Sequence, residues 1–140
     1  DAQSMMNEGY RNSSIYGMLG YFKLLRNDDL DETTKLCEEA YDYNSDDRDI
    51  KDNLSICYFR KGEYEKAEKI SDELVGSAPN FVEGFYHGIQ IAMKLNKYDK
   101  AAEYAEKLKE CKRSGMTTVT EEEVNKLIQE VKNHNENTIG

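Results

Sequence analysis

The sequence predicts an all-α protein built from a repeated pair of helices, and three observations support this prediction. The pattern of residues 61–67 returns within 96–102, where Tyr98, Lys100 and Ala101 follow Tyr64, Lys66 and Ala67 at a spacing of 34 residues. Apolar residues recur three or four positions apart within each candidate helix. Turn residues, among them the only proline, Pro79, separate these stretches. A fixed period of this length is typical of a helical repeat array.

The first complete repeat is predicted over residues 14–45. Counting back by one period places residues 1–11 at the tail of a helix from a preceding repeat, so we expect the chain to be a piece of a longer array. Helix A of repeat 1 is predicted to end at Arg26. Asp29, followed three residues later by Glu32, predicts a capping box at the start of helix B.

The second repeat, over residues 48–79, has the clearest pattern. Its helices are predicted at 47–61 and 63–76, and Gly62 between them provides the flexible stop. Pro79 ends the repeat, because proline cannot continue the previous helix but is tolerated just before the next one.

The third repeat is predicted over residues 81–112, with helices at 81–95 and 98–111. Asn80 and Glu83 have the spacing of a capping box for the first of them. Arg113 stands where the period would place a second terminal proline, so the array need not continue with an ordinary repeat.

A last helix is predicted at 119–135, where Thr120 and Glu123 form a capping box and a narrow apolar stripe follows. Such a half-polar helix covers the end of a repeat array. Residues 136–140 are predicted to be a frayed tail.

Composition excludes several classes of protein. The 140 residues contain 19 Lys and Arg against 28 Asp and Glu, a net charge of −9, which argues against nucleic acid or an anionic membrane as partner. No apolar run approaches the roughly 18 residues that span a bilayer, so we expect no direct membrane insertion. Cys37, Cys57 and Cys111 are odd in number and widely spaced, which favours reduced thiols in the cytoplasm over a disulfide frame or a metal site. No cofactor is expected.

The period and its residues resemble the tetratricopeptide repeat (TPR) family. The resemblance rests on Tyr16-x-x-Leu19-Gly20, on Ala67 and Ala101 at the helix crossings, and on Pro79 at a repeat end. It implies three repeats plus a C-terminal capping helix, arranged as a right-handed superhelical α-solenoid of antiparallel helix pairs. It also implies a protein-interaction scaffold that binds a peptide or a partner helix in a concave groove.

In this family the groove is lined by the helix A side chains that do not pack between helices. Carried over to this chain, these positions are Met18 and Phe22 in repeat 1, Asp49, Asp52, Asn53, Ile56, Phe59 and Arg60 in repeat 2, and Glu83, Tyr86, His87, Gln90, Met93 and Lys94 in repeat 3.

The resemblance does not extend to the repeats that grip the carboxy-terminal carboxylates of heat-shock chaperones. Those repeats use Lys, Asn and Arg at five groove positions, and here only Asn53 matches. An acidic peptide end would find too little positive charge for charge-assisted hydrogen bonds. The mixture of aromatic, Met and acidic side chains instead predicts a protein or peptide partner with apolar anchors and some basic residues.

Two further interpretations stand beside the scaffold. The chain could be a structural or self-associating segment of a larger, possibly membrane-anchored TPR protein, forming a homodimer through its N-terminal half-repeat with Met5 and Met6. An enzyme is not expected, since the sequence suggests no nucleophile with a base and no phosphate loop. His87 and Glu83, one turn apart, could form an acid-base pair but are more often a surface contact.

Overall fold

The fold is all-α, as predicted. A computed structural model describes residues 19–21, 23–24, 26, 29–114 and 117–139, and every regular element in this part of the chain is a helix. In chain order the helices are α1 (Leu30–Tyr43), α2 (Arg48–Arg60), α3 (Tyr64–Ser77), α4 (Val82–Lys94), α5 (Tyr98–Glu110) and α6 (Glu121–Ile139). Residues 19–21 and 23–24 are also helical.

Several predictions concern residues outside the described part of the chain. These are the helix tail at 1–11, self-association through Met5 and Met6, and the site residues Met18 and Phe22. They stay predictions.

The chain divides into two compact units, Asp1–Ile70 and Ser71–Gly140, and the division falls within α3. In the N-terminal unit α1 packs against α2. The buried side chains of this unit form two apolar clusters. One contains Leu36, Ala40 and Ile50, and the other contains Leu24, Cys37, Leu54, Cys57 and Ile70.

In the C-terminal unit α4 packs against α5, and α6 packs against both. These helices share one apolar cluster, whose central members include Phe85, Ile89, Leu108 and Leu127. Ala101 in this cluster is fully buried, and so is Ala67 in the N-terminal unit. Full burial agrees with the predicted close helix crossings at these positions, where a larger side chain would overpack the contact.

The predicted capping box of α6 is complete, and that of α1 shows its N-cap hydrogen bond. The Asp29 carboxylate accepts a hydrogen bond from the Glu32 amide at 3.0 Å, at the start of α1. At α6 the bonds are reciprocal: the Glu123 amide donates to the Thr120 hydroxyl at 3.1 Å, and the Thr120 amide donates to the Glu123 carboxylate at 3.2 Å. Each carboxylate or hydroxyl therefore satisfies an amide that the helix cannot.

The predicted capping box at Asn80 and Glu83 is wrong. Helix α4 begins at Val82 with Phe81 as its N-cap residue, and no side chain accepts from the free amides there. Asn80 lies in the preceding turn, while the Phe81 and Val82 side chains are buried. Apolar burial, not capping, therefore fixes where this helix begins.

The prediction also ended the last helix too early. Helix α6 continues to Ile139, whereas the sequence pattern placed its end at 135. The His134 ring stacks on Tyr98 of α5 with centroids 3.6 Å apart. Contact with α5 therefore continues past Val131, the last residue of the apolar stripe.

Helices α2 and α4 end in the same way, one period apart. Gly62 has φ of 79° and Asn96 has φ of 59°. After α2 the Gly62 amide donates to the Phe59 carbonyl, and the next amide donates to Tyr58. The amides of 96 and 97 bond in the same pattern to Met93 and Ala92. This is the Schellman motif, and it supports the predicted stop at Gly62.

Candidate functional site

The described candidate residues lie on two helices, one in each unit. We call Asp49, Asp52, Asn53, Ile56, Phe59 and Arg60 the α2 face, and Glu83, Tyr86, His87, Gln90, Met93 and Lys94 the α4 face. Within each face the residues recur at intervals of three or four, so they share one side of their helix. The two faces correspond position by position at 34 residues.

The beginning of the α2 face is partly buried. Asp47 caps the helix by accepting from the amides of Asp49 and Ile50 at 2.9 and 3.1 Å, which leaves Asp49 in the exposed first turn. Asp52 and Asn53 are buried, with 8% and 4% of their surface exposed. Their side chains therefore lie mainly in the interior of the N-terminal unit.

Burial of Asn53 has a specific cause. A Cβ atom placed on Gly20 would lie 3.2 Å from Nδ2 of Asn53. The helical residues around Gly20 therefore approach α2 closely, and they do so because glycine has no side chain. Gly20 belongs to the motif that carries the family resemblance, and the structure shows Asn53 as one of the residues it approaches.

The end of the α2 face is tied to its surroundings. Arg60 donates from Nη1 to the Leu24 carbonyl at 3.0 Å. The Phe59 ring meets Tyr64 edge to face, with centroids 5.5 Å apart. Ile56 packs against the apolar cluster of the unit. Phe59 and Ile56 are half-buried, so each keeps part of its apolar surface in reach of a partner.

The α4 face is more open in its middle and at its end. Glu83, in the first turn, is buried with 7% exposure. His87, Gln90 and Met93 are half-buried, and Lys94 is exposed. A carboxylate in the first turn and a base in the last turn favour the helix through its dipole, which explains this charge order without a ligand.

Tyr86 has neighbours that the repeat pattern could not indicate. Its ring packs against the core of the C-terminal unit and meets the His87 ring edge to face at 5.6 Å. Burial raises the pKa of Tyr86, and the carboxylates of Glu123 and Glu130 raise it further. Both acids belong to α6, which therefore borders the α4 face. Because α6 is not a repeat, no residue one period away indicated this.

Asp49 is the acidic residue of the α2 face closest to solvent. Partial burial raises the pKa of its carboxyl group, Arg48 opposes this, and the carboxylates of Asp47 and Asp52 add to it. The Arg48 side chain lies 3.8 Å from that carboxylate. Negative charge is therefore concentrated at the start of α2, with the Arg48 side chain beside it.

Neither face has the composition of a metal centre. Among the described residues, no group of three or more His, Cys, Asp and Glu side chains is arranged to hold a metal ion. No helix in the same part of the chain is long and apolar enough to cross a membrane. What the two faces offer is apolar and charged contact surface.

Comparison with known families and structures agrees with this geometry. Residues 24–84 match the family model of the tetratricopeptide repeat. The comparison with curated proteins gave no significant match.

Among solved structures, the TPR domain of Sgt2 from Aspergillus fumigatus is similar with a TM-score of 0.76 and 17% identity, over 90% of this chain and 80% of that one. The first TPR of Spaghetti (RPAP3), bound to the HSP90 peptide SRMEEVD, gives 0.73 and 14%, over 87% and 91%. YrrB, a TPR protein with an unusual peptide-binding site, gives 0.70 and 16%, over 94% and 62%. At such identities the likeness shows the fold.

Proposed function

We propose that this chain, whose residues 24–84 match the family model of the tetratricopeptide repeat, is a protein-interaction scaffold. It binds a peptide or a helix of another protein through side chains of the α2 and α4 faces, in the concave groove that the family resemblance implies. Two similar structures support a binding role, since one is bound to a peptide and another has a peptide-binding site. The odd number and wide spacing of its cysteines favour a cytoplasmic location.

The observation that supports this proposal most is the half-buried state of the side chains along both faces. Ile56, Phe59 and Met93 each retain exposed apolar surface while their positions are fixed by packing. Side chains that are already ordered lose little conformational entropy when a partner covers them. They are suited to be the anchor contacts of a helix or an extended peptide.

The partner is expected to carry basic residues beside its apolar anchors. The chain has a net charge of −9, and Asp47 and Asp49 lie at the start of α2. A Lys or Arg side chain of the partner would be attracted to this end of the helix. Arg60 and Lys94, at the far ends of the two faces, would favour an acidic group there.

A carboxylate clamp for chaperone tails is not supported. Asn53, the one side chain that matches the clamp pattern, is buried beside Gly20. The corresponding position of the next repeat is His87, and Glu83 precedes it by one turn. An acidic peptide end would meet a second carboxylate there in place of a lysine.

The experiment is a peptide selection on the purified chain, followed by binding measurements on single peptides. We expect the selected peptides to combine apolar residues with Lys or Arg. Asp49→Lys should weaken their binding roughly three- to tenfold. The matched control is Glu65→Lys, which makes the same charge change at an exposed position of α3.

Two results would contradict the proposal. One is that the selected peptides bind the Asp49→Lys variant, and also a His87→Ala, Gln90→Ala double variant, as tightly as they bind the unsubstituted chain. The other is tight binding of the peptide SRMEEVD, which would indicate a carboxylate clamp for chaperone tails. Folding of each variant is checked by circular dichroism, so that lost binding is not confused with a lost fold.

A further inference from the structure

Two buried thiols face each other inside the N-terminal unit. Cys37 of α1 and Cys57 of α2 have 2% and 0% of their surface exposed, and their Sγ atoms are 3.7 Å apart and hydrogen-bonded. They belong to one apolar cluster with Leu24, Leu54 and Ile70. Cys111 of the C-terminal unit is different, since it is half-buried and its Sγ contacts the carbonyl oxygens of Pro79 and Lys107.

The two sulfur atoms are in contact but not at bonding distance. A disulfide holds its sulfur atoms about 2.05 Å apart, so the two Sγ atoms would have to approach by about 1.7 Å. Rotation about the two Cα–Cβ bonds changes this distance, and the two helices already pack against each other.

We propose that Cys37 and Cys57 are a buried dithiol pair that forms an intramolecular disulfide when a small peroxide oxidises the protein. The product links α1 covalently to α2, the helix that carries the α2 face. The proposal is independent of the proposed function, because it concerns the interior of the N-terminal unit and no partner.

The reaction balances with one molecule of hydrogen peroxide. The Cys57 thiolate attacks one peroxide oxygen, the O–O bond breaks, and the departing hydroxide takes a proton and leaves as water. The Cys37 sulfur then attacks the sulfur of the resulting sulfenic acid while the Cys37 thiol proton passes to the hydroxyl group, so the S–O bond breaks and a second water leaves. The two thiols lose two electrons and two protons, and the peroxide is reduced to two molecules of water.

The surroundings favour Cys57 as the first nucleophile. Its hydrogen bond with Cys37 lowers the pKa of the Cys57 thiol, burial opposes this, and Thr34 and Arg60 add to the lowering. The same hydrogen bond and burial raise the pKa of Cys37. Cys57 is therefore the thiolate formed more readily, and Cys37 is the resolving thiol.

Access to the pair is restricted by Gly20. A Cβ atom on Gly20 would lie 3.2 Å from Sγ of Cys37, so the backbone at this residue covers that thiol. Cys57 itself is fully buried, so an oxidant must be small, or this part of the unit must open locally, before the first step can occur. A peroxide therefore reaches the pair more easily than a bulky disulfide does.

The test uses the full chain with Cys111→Ser, which removes the third thiol. After peroxide treatment, denaturation and alkylation, mass spectrometry should find residues 37 and 57 joined, with a loss of about 2 Da that dithiothreitol reverses. The thermal midpoint should rise by roughly 5 to 15 °C, since the bond closes a loop between residues 37 and 57. A further Cys37→Ala substitution should abolish that rise.

Three results would overturn the proposal. They are two free thiols at peroxide doses that oxidise Cys111 in the unsubstituted chain, separate sulfinic acids on the two cysteines, and a disulfide between two molecules. If the Cys37→Ala variant does not fold, mass mapping of the Cys111→Ser protein alone still distinguishes these results from the expected one.

Discussion

The two units of this protein hold a carboxylate by the same chemistry but take the tyrosine from different helices. Glu38 and Asp72 are one period apart. In the N-terminal unit the Tyr58 hydroxyl, from α2, donates to Glu38 at 2.7 Å. In the C-terminal unit the Tyr104 hydroxyl, from α5, donates to Asp72 at 2.9 Å. The two tyrosines are not equivalent in the repeat.

The lysines complete the comparison. Lys66 and Lys100 are one period apart, and each lies over the ring of the tyrosine in its own unit, at 5.5 and 5.6 Å from the centroid. Lys100 also pairs with Asp72 at 2.6 Å, whereas Lys66 lies 3.9 Å from Glu63. The repeat therefore preserves the positions of the carboxylate and the lysine, while either helix of a pair can supply the aromatic hydroxyl.

The largest expected effect comes from making a cavity in each core, which tests whether the two units are packed equally tightly. Leu54 and Ile89 are 1% and 0% exposed in the N-terminal and C-terminal units. Each change to alanine should reduce the free energy of unfolding by about 2 to 5 kcal/mol, because it leaves a cavity in a packed core. Urea unfolding measures this free energy. Glu65→Ala, at an exposed helical position, is the control. A loss of unfolding free energy below about 1 kcal/mol at either core site would show that the core there collapses around the cavity.

The next effect concerns one unsatisfied hydroxyl in each unit. Among the described residues, none forms a hydrogen bond with the buried Oγ1 atom of Thr33 or the buried Oγ atom of Ser71. Thr33→Val and Ser71→Ala should each raise stability by about 1 kcal/mol, since an unpaired buried hydroxyl is costly.

Thr34→Val is the matched control for the first of these changes. Thr34 is buried on the same helix, but its hydroxyl donates to the Leu30 carbonyl at 2.6 Å. Removal of this hydroxyl should give no gain in stability. Equal gains at 33 and 34 would mean that the β-branched apolar side chain, and not the missing partner, is responsible.

A smaller effect separates the two carboxylates. Asp72→Asn should cost about 0.5 to 1 kcal/mol, because the amide can still accept from Tyr104 but no longer pairs with Lys100. Glu38→Gln should cost less, since the Tyr58 hydroxyl that donates to Glu38 is neutral. The cost at Asp72 should also shrink in high salt, as expected for a partly exposed ion pair. Equal and salt-independent costs would show that Lys100 adds nothing to the C-terminal unit.

The sequence predicted the helices because periodicity and turn chemistry are local. The capping residues Asp29 and Thr120, and the stop at Gly62, act on amides and carbonyls within one turn of chain. The error at Asn80 arose where burial of Phe81 outweighed a local capping preference. Thr33 stands one period before Ala67, and only the structure shows that its hydroxyl is unsatisfied.

The site was less predictable, because exposure depends on what packs against each helix. The repeat pattern placed the described candidates on α2 and α4 but could not show that Asn53 and Glu83 are buried, or that Glu123 and Glu130 border Tyr86. Their role in binding stays a prediction. The Cys37 and Cys57 pair shows the same limit, since 20 residues of sequence separate two atoms that are 3.7 Å apart.

The smallest expected effect is a difference in alkaline sensitivity at Tyr58. Burial, the hydrogen bond to Glu38 and the charge of that carboxylate raise the pKa of the Tyr58 hydroxyl. The folded state therefore holds this proton more tightly than the unfolded state, whose tyrosine pKa is about 10. The stabilisation is complete below pH 10 and is lost as the pH rises from there through the folded-state value. Tyr58→Phe has no proton to lose.

Urea midpoints at two pH values measure this difference. The stability advantage of the unsubstituted chain over Tyr58→Phe should be present at about pH 9 and should shrink by about pH 11, on either side of the ordinary tyrosine pKa. Tyr43→Phe is the control, because Tyr43 is 51% exposed. An advantage that stays constant across this range would mean that Glu38 accepts no proton-dependent bond from Tyr58, and the parallel between Glu38 and Asp72 would then rest on position alone.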